Sequence, residues 1–353
     1  MIAVIDDGVN AGIWPQIGSL CFDMEVTGRG KVRPRGTPCR TESHGTNCAG
    51  IIKKYAPDAP VGSICIFGRE KGRSTPGKLA AALRWCLGQD IEVINISIGF
   101  TPVSIPAELA EAVSALKRKG TAVFAANSNK GVYTLPACME GVFGVRTDPK
   151  LSGGEIYRVP ASPFGVGIAA SSRHILDKGA GISAMTGYGN SYGCALAAAC
   201  CWNHLKAGGT IDSFLGTLAY REEEEAGTAG MPEDVPVVAV EGQCGEWTAV
   251  LRQVCAELGK KGYRAAFFSR GMGKPEEGPV FRIPWGMETE RYLETAAEKL
   301  SLSVVLTDEP VESSGKLIIG RKRGVSGEGK TIYLEGGGKH EVKAAVRRMI
   351  RTY

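Results

Sequence analysis

The sequence is poor in histidine, with only His44, His174, His204 and His340 among 353 residues. Proton transfer through an imidazole therefore has few candidate carriers. No cysteine pair has the CxxC spacing of a metal site, although there are eleven cysteines. An odd count at this length also argues against a disulfide scaffold. Most of these cysteines sit in apolar runs such as VGSICIF and ALAAACCW. That is the pattern of buried, reduced thiols, and it predicts a cytoplasmic location. No apolar run reaches the ~20 residues that cross a bilayer, so no membrane partner is expected. No secretory signal is expected ahead of MIAVIDDG. Charge of one sign is lacking too: 42 Lys and Arg against 37 Asp and Glu leave a net +5. This is too little to argue for nucleic acid. The 48 glycines follow no collagen period, which leaves tight turns and close backbone approaches as their use. There is no internal repeat.

What is present is enough for a folded core. Hydrophobic residues make up 43% and charged residues 22%, and the length suits about two domains. Over the first two hundred residues, strand patterns at Ile2–Ile5, Val61–Phe67, Glu92–Ile98, Thr121–Ala126 and Gly141–Val145 alternate with helix patterns. The helices are expected at Gly45–Lys54, Gly77–Leu87, Pro106–Lys119 and Ser191–Lys206, with one more at Asp212–Glu225. Alternation of this kind predicts an α/β fold with a doubly wound parallel sheet. Ligands of such sheets bind beyond the carboxyl ends of the strands. A polar Gly/Pro segment, AGTAGMPEDVP at 226–236, reads as a linker. It divides a domain at 1–225 from a second, smaller α/β domain at 237–353. Basic side chains favour the first part: 22 against 15 acidic in residues 1–210, then 20 against 22 in 211–353.

Four segments carry chemistry: VIDDG with Asp6, SHGTNCAGII with His44, FAANSNKG, and TGYGNSYGCALAAA with Ser191. Their logic is that of acyl transfer. A serine hydroxyl needs a base to take its proton, and an imidazole has a suitable pKa. The imidazole needs a carboxylate to fix its tautomer and stabilise its cation. The oxyanion that develops needs donors, which an Asn side chain and a helix N-terminus supply. Glycines at 189 and 193 let backbone and substrate approach Ser191. Ser191 also fits a plain helix N-cap, a role compatible with being a nucleophile.

With these residues in order, the chain resembles the subtilisin-like serine proteases over residues 1–208. The order Asp, His, Ser is theirs. Their HGTxVAG motif is matched by His44-Gly45-Thr46-Asn47-Cys48-Ala49-Gly50, and their VINMSLG strand by Val93 to Gly99. Their GTSMAxP motif is matched by Gly189-Asn190-Ser191-Tyr192-Gly193-Cys194-Ala195. The resemblance implies Ser191 as nucleophile, His44 as general base and Asp6 as orienting carboxylate, with Asp7 as a competitor for the last role. It implies Asn129 as oxyanion donor when SNKG is aligned with the family's GNxG, and Asn127 as the alternative. Ser97, Ile98 and Gly99 would pair with an extended substrate as an added strand, and Ala125, Ala126 and Asn127 would wall a specificity pocket. No cofactor and no metal are implied. The substrate would be a peptide or protein, and oligomeric state is not indicated. The implied function is an intracellular serine endopeptidase, including a dedicated remover of a precursor's leader peptide. The departures at Asn190, Tyr192 and Ala195, together with the short catalytic part and the expected lack of a propeptide, keep a second reading open: an inactive pseudoprotease that binds peptides.

Two further stretches stand apart. Cys21–Thr41 holds Arg29, Lys31, Arg33, Arg35 and Arg40 and is expected to be a solvated loop, with contact to an acidic peptide as the alternative. In the second domain, VVAVEGQCGEWTAVL resembles the entry to a phosphate-binding loop. However, Trp247 and Thr248 stand where a working GxxxxGK loop has Gly and Lys. A degenerate domain without nucleotide is expected, used for docking, oligomerisation or substrate selection.

Overall fold

The computed structural model describes all residues except 37–40, 68–73, 101–104, 130–133, 160–165, 180, 222–234, 243–246, 271–278, 284–287, 301, 314, 320–330, 335–338 and 353. The chain forms two compact units, one of residues 1–101 and 108–224, the other of residues 102–107 and 225–353.

The first unit contains, in chain order, β1 (Ile2–Asp6), β2 (Asp23–Val26), β3 (Val32–Pro34), α1 (His44–Tyr55), β4 (Val61–Cys65), α2 (Pro76–Leu87), β5 (Val93–Ile96), α3 (Ala107–Lys119) and β6 (Ala122–Ala126). There follow β7 (Val142–Thr147), β8 (Ile156–Arg158), β9 (Val166–Ala170), β10 (Ile175–Asp177), β11 (Ser183–Met185), α4 (Asn190–Lys206) and α5 (Ile211–Thr217). Nine strands form one sheet in the order β3-β2-β4-β1-β5-β6-β7-β9-β8. The expected all-parallel sheet is corrected to a mixed one. The central strands are parallel, whereas β3 runs antiparallel to β2 and β8 antiparallel to β9. These edge strands are short and half-exposed, so they lack the continuous apolar run that marks a buried parallel strand. The basic stretch expected to be a solvated loop thus supplies the edge strand β3 and its neighbour β2. Arg33 pairs with Glu25 and Arg35 with Asp23 across that hairpin. The helix expected to reach Glu225 stops at Thr217, and its acidic end lies outside the described residues.

The reason Asp6, His44 and Ser191 meet lies in three element ends. β1 is buried throughout and flanked by β4 and β5, so Asp6 emerges at the carboxyl edge of the sheet's middle. α1 starts at His44 because Ser43 caps it, its side chain accepting from the Thr46 N–H. α4 starts at Asn190 with Gly189 as N-cap and no side-chain cap, so Ser191 is not the capping residue. From Gly193 to Ala199 α4 is buried on every face, as a helix at the centre of an α/β unit must be. Its small side chains allow packing against α1 and the strands β5, β6, β7 and β9. Around it Phe124, Phe143 and Phe214 form an aromatic cluster with ring centroids 4.8 to 6.0 Å apart.

The second unit contains β12 (Val237–Gly242), α6 (Trp247–Gly259), β13 (Ala265–Ser269), β14 (Val280–Arg282), α7 (Thr289–Leu300), β15 (Val304–Thr307), β16 (Gly315–Ile319), β17 (Thr331–Leu334) and α8 (Lys339–Thr352). Its six described strands are all parallel, in the order β14-β13-β15-β12-β16-β17. Val238, Leu251, Phe267, Leu306 and Leu317 are fully buried in its core. The residues resembling a phosphate loop, 243–246, lie outside the described ones.

Packing of α1 gives the first prediction. Gly50 faces the Trp14 ring, and a Cβ there would fall within its van der Waals envelope. Trp14 is fully buried and cannot swing to solvent. Gly50→Ala should lower stability by about 1–3 kcal/mol in urea denaturation; an unchanged midpoint would show that α1 can shift.

Candidate active site

Asp6, His44 and Ser191, more than a hundred residues apart in sequence at the extremes, form one hydrogen-bonded chain. His44 Nδ1 lies 2.7 Å from Asp6 Oδ2, and His44 Nε2 lies 2.8 Å from Ser191 Oγ. Asp6 is buried, and its other oxygen accepts the Asp7 N–H at 2.8 Å. A carboxylate so placed makes Nδ1 the protonated nitrogen and leaves Nε2 to accept from the serine hydroxyl. Burial opposes the His44 cation, but the Cys48 sulfur and the Asp6 carboxylate beside the ring outweigh it and raise the imidazole pKa. Burial also pushes the Cys48 thiol up, so Cys48 is neutral near pH 7 and Asp6 carries the effect.

Asp7 does not compete for the imidazole. Its carboxylate accepts the backbone N–H groups of His44 at 3.2 Å and Gly45 at 2.8 Å. It therefore satisfies orphan donors at the start of α1. Burial first, then the charge of Asp6, raises its pKa. Gly45 is required by proximity: a Cβ there would stand 2.6 Å from the Gly8 carbonyl. A side chain would push His44 away from Asp6.

Ser191 opens onto a cavity of about 190 Å³ lined by Ser97, Gly99, Ala126, Asn127, Ser128, Asn129, Thr134 and Ser191 itself. Of the residues expected as substrate contacts, Ser97, Gly99, Ala126 and Asn127 are among that lining. Ala125 is not: it is fully buried within β6, and neither it nor Ile98 lines the cavity. The two candidate amides differ. Asn127 is buried, and its Oδ1 accepts the Ser128 N–H. Asn129 is exposed, and its Oδ1 accepts the Asn190 N–H at 2.9 Å, which leaves its NH₂ as the end not held by α4.

Sequence reasoning missed the part played by Asn190. This buried side chain accepts from the Thr147 N–H and hydroxyl at 2.8 and 2.9 Å. Its NH₂ donates to the carbonyls of Asn127 and Ser128, both at 3.0 Å. It ties the ends of β6 and β7 to the first turn of α4. The signal was visible as a departure from the GTS motif. Tyr192 was also missed; its ring stacks on His44 with centroids 5.1 Å apart and planes at 23°. Cys48 lies beneath the imidazole, 3.8 Å from Nδ1 and 3.4 Å from Ser97 Oγ. Asp6, His44 and Cys48 bring three ligand-type atoms within 4.8 Å of one another.

The other histidines fall elsewhere. His204 bonds Thr210 and Ser213 at the surface. His174 is fully buried between the Tyr55 hydroxyl at 3.0 Å and the Ser171 carbonyl at 3.1 Å.

An Asp-His-Ser chain beside a cavity at the carboxyl edge of such a sheet holds the groups that acyl transfer to a serine requires. The Subtilase family matches residues 1–201, and the chain belongs to that family. A Podospora anserina protein described as subtilisin-like protease het-Q2 is 35% identical over 96 residues, which cover 26% of this chain and 26% of that protein. The chain thus spans about a quarter of the curated relative it matches. A solved lanthipeptide protease superposes with a TM-score of 0.46 at 17% identity, covering 61% of this chain and 77% of that one. The epidermin leader peptide processing serine protease from Staphylococcus aureus does so with 0.46 at 17%, covering 61% and 67%. At such identities the likeness concerns the fold alone. The family match ends before the second unit, and the comparisons give its phosphate-loop resemblance no support.

The cytoplasmic location expected from the thiols is corrected here. The solved structures of similar fold include a lanthipeptide protease and a leader peptide processing serine protease, and that likeness gives a cytoplasmic location no support. The thiols have a simpler cause: six of the nine described free cysteines are buried, and packing alone keeps such groups unpaired. Among the described residues no helix is long and apolar enough to cross a membrane.

His174 yields a pH prediction. Burial pushes its pKa down from 6.5 to about 4. The folded state therefore binds this proton less well than the unfolded chain does. Stability is whole above pH 6.5 and falls as pH drops towards 4, by about 3 kcal/mol at most. Urea unfolding across that window should show the slope, and His174→Gln should flatten it. An equal slope in both chains would place the acid sensitivity elsewhere.

Proposed function

We propose that the chain is a serine endopeptidase acting through an acyl-enzyme on Ser191, within a catalytic domain at 1–225. A linker at 226–236 would join it to an accessory domain at 237–353. The observation that carries this reading is the hydrogen-bonded chain Asp6–His44–Ser191 opening onto the cavity. Ser191 Oγ attacks the scissile carbonyl carbon as its proton passes to His44 Nε2. The buried Asp6 carboxylate stabilises the imidazolium. The carbonyl oxygen, now negative, takes the Asn129 NH₂ as donor, and the N-terminus of α4 adds its dipole. His44 then gives its proton to the departing amine, and water repeats the sequence to free Ser191. Asn129 is favoured over Asn127 because it is exposed where Asn127 is buried, while its oxygen is held by the Asn190 N–H. Ser97 and Gly99 on one side, with Ala126 and Asn127 on the other, would hold an extended peptide.

The finer reading is a protease dedicated to one class of peptide precursor. Its support is a small catalytic unit joined to a second α/β unit. It predicts poor turnover of casein and efficient cutting of a cognate precursor; broad digestion of unrelated proteins would sink it. The rival reading, a peptide-binding pseudoprotease, draws on Asn190, Tyr192 and Ala195. The two separate on turnover. A cut peptide should accumulate with the wild type and disappear with Ser191→Ala. Asn129→Ala should lower kcat by about 10²–10³ with KM little changed. Equal loss from Asn127→Ala with Asn129→Ala harmless would move the oxyanion role to Asn127.

A further inference from the structure

Ile175, Ile182, Met185 and Tyr188 are exposed by 56%, 61%, 52% and 64%. All four fall in the β10–β11 hairpin and the short segment leading from it to Ser191. Ile175 and Met185 are direct cross-strand partners, so they form one surface rather than scattered points. Singly exposed apolar residues are ordinary, whereas a contiguous patch marks an interaction site.

A cation is built into this patch. Arg173 precedes β10 and is exposed. Its guanidinium lies over the Tyr188 ring, 5.5 Å from the centroid, and donates to the Tyr188 hydroxyl at 3.4 Å. It also donates to Met185 Sδ from Nε at 3.2 Å and from Nη2 at 2.9 Å. It has no carboxylate partner among the described residues. Asp177, on the same strand, turns its Oδ1 to the Gly179 N–H. Packing on Tyr188 and Met185 therefore fixes the fork of Arg173 while its charge stays unmatched. Such a fork is suited to a carboxylate.

The hairpin is also fastened to the segments that carry the reacting groups. Tyr188 lies three residues before Ser191. Lys54 Nζ, on α1, donates to the Ile175 carbonyl at 2.8 Å, and Lys178 pairs at 2.6 Å with Glu42, two residues before His44. None of the hairpin residues lines the cavity beside Ser191.

We infer that the β10–β11 hairpin is a docking surface for the substrate peptide, outside the cavity, and that it takes a segment in which an Asp or Glu stands among aliphatic or aromatic residues. This rests on the protease reading for its biological use, but docking itself does not require catalysis. A peptide held at Ser191 would continue over the hairpin, its carboxylate on Arg173 and its apolar side chains on Ile175, Met185 and Tyr188.

The test uses the full chain carrying Ser191→Ala, so that nothing is cut. Two fluorescein-labelled peptides of about twelve residues are compared by anisotropy. One has Glu among Leu and Phe, and the other has Lys in place of each Glu. The acidic peptide should bind about ten-fold more tightly. Arg173→Glu should reverse the preference, and Ile175→Ser with Met185→Ser should weaken both peptides. These positions are exposed, so the fold should be kept, which circular dichroism checks. Equal binding of the two peptides, or an unchanged preference in Arg173→Glu, would overturn the proposal. So would a change in self-association in sedimentation without any change in peptide binding, because the surface would then serve a second copy of the chain. Failure of the wild type to cleave peptides would count against the protease reading alone.

Discussion

Everything at this site depends on one imidazole being held between a buried carboxylate and a serine hydroxyl. The contacts are short, 2.7 and 2.8 Å, and each end belongs to a different element. Such an arrangement tolerates little movement, since a displacement of about 1 Å removes most of the benefit of orientation. The chain meets this demand through backbone ends. Asp6 is fixed by a strand paired on both sides. His44 is fixed by a helix whose first N–H groups are taken by Asp7 and Ser43. Ser191 sits on the first turn of a helix that is buried on every face from Gly193 to Ala199.

Asn190 extends that constraint to the cavity. One buried amide joins the ends of two strands to the turn that carries Ser191, and its backbone N–H holds the Asn129 side chain. A network of this kind is satisfied at every polar atom with good geometry, which is the condition under which buried polar groups stiffen a site rather than weaken it. The position is a departure from the family's Thr, and the larger amide reaches partners that a Thr hydroxyl could not reach all at once. Tyr192, the next departure, covers the imidazole face. The altered serine motif is thus accompanied by new contacts, and the triad geometry is kept.

Much of this was legible in the sequence for a physical reason. Buried parallel strands and an apolar helix write long, unbroken patterns, so β1, β4, β5, β6, α1 and α4 were found close to their bounds. Such sheets place their chemistry at the carboxyl edge, and Asp6 at a strand end and His44 and Ser191 at helix starts were read from short motifs. The short strands β2, β3 and β8 at the two sides of the sheet were missed because three or four residues, most of them partly exposed, carry too little pattern to tell from a loop. Asp7 was ambiguous because a helix-capping carboxylate and a histidine partner look the same in a linear string. Ala125 was misplaced because alternation along β6 decides which side chains reach the cavity, and the strand's register is not written locally. The hairpin patch went unnoticed because exposure, unlike periodicity, is a property of the folded chain.

The most direct measurement is the site and pH dependence of acylation by a fluorophosphonate, read by mass spectrometry of the digested protein. With the assignment correct, a single adduct forms on Ser191. Its rate rises with pH as the His44 imidazolium loses its proton, and His44→Ala abolishes it. Asp6→Asn lowers the rate by about 10⁴ through the wrong tautomer. Labelling elsewhere, or labelling of Ser191 at an equal rate without His44, would contradict the triad on which the functional reading stands.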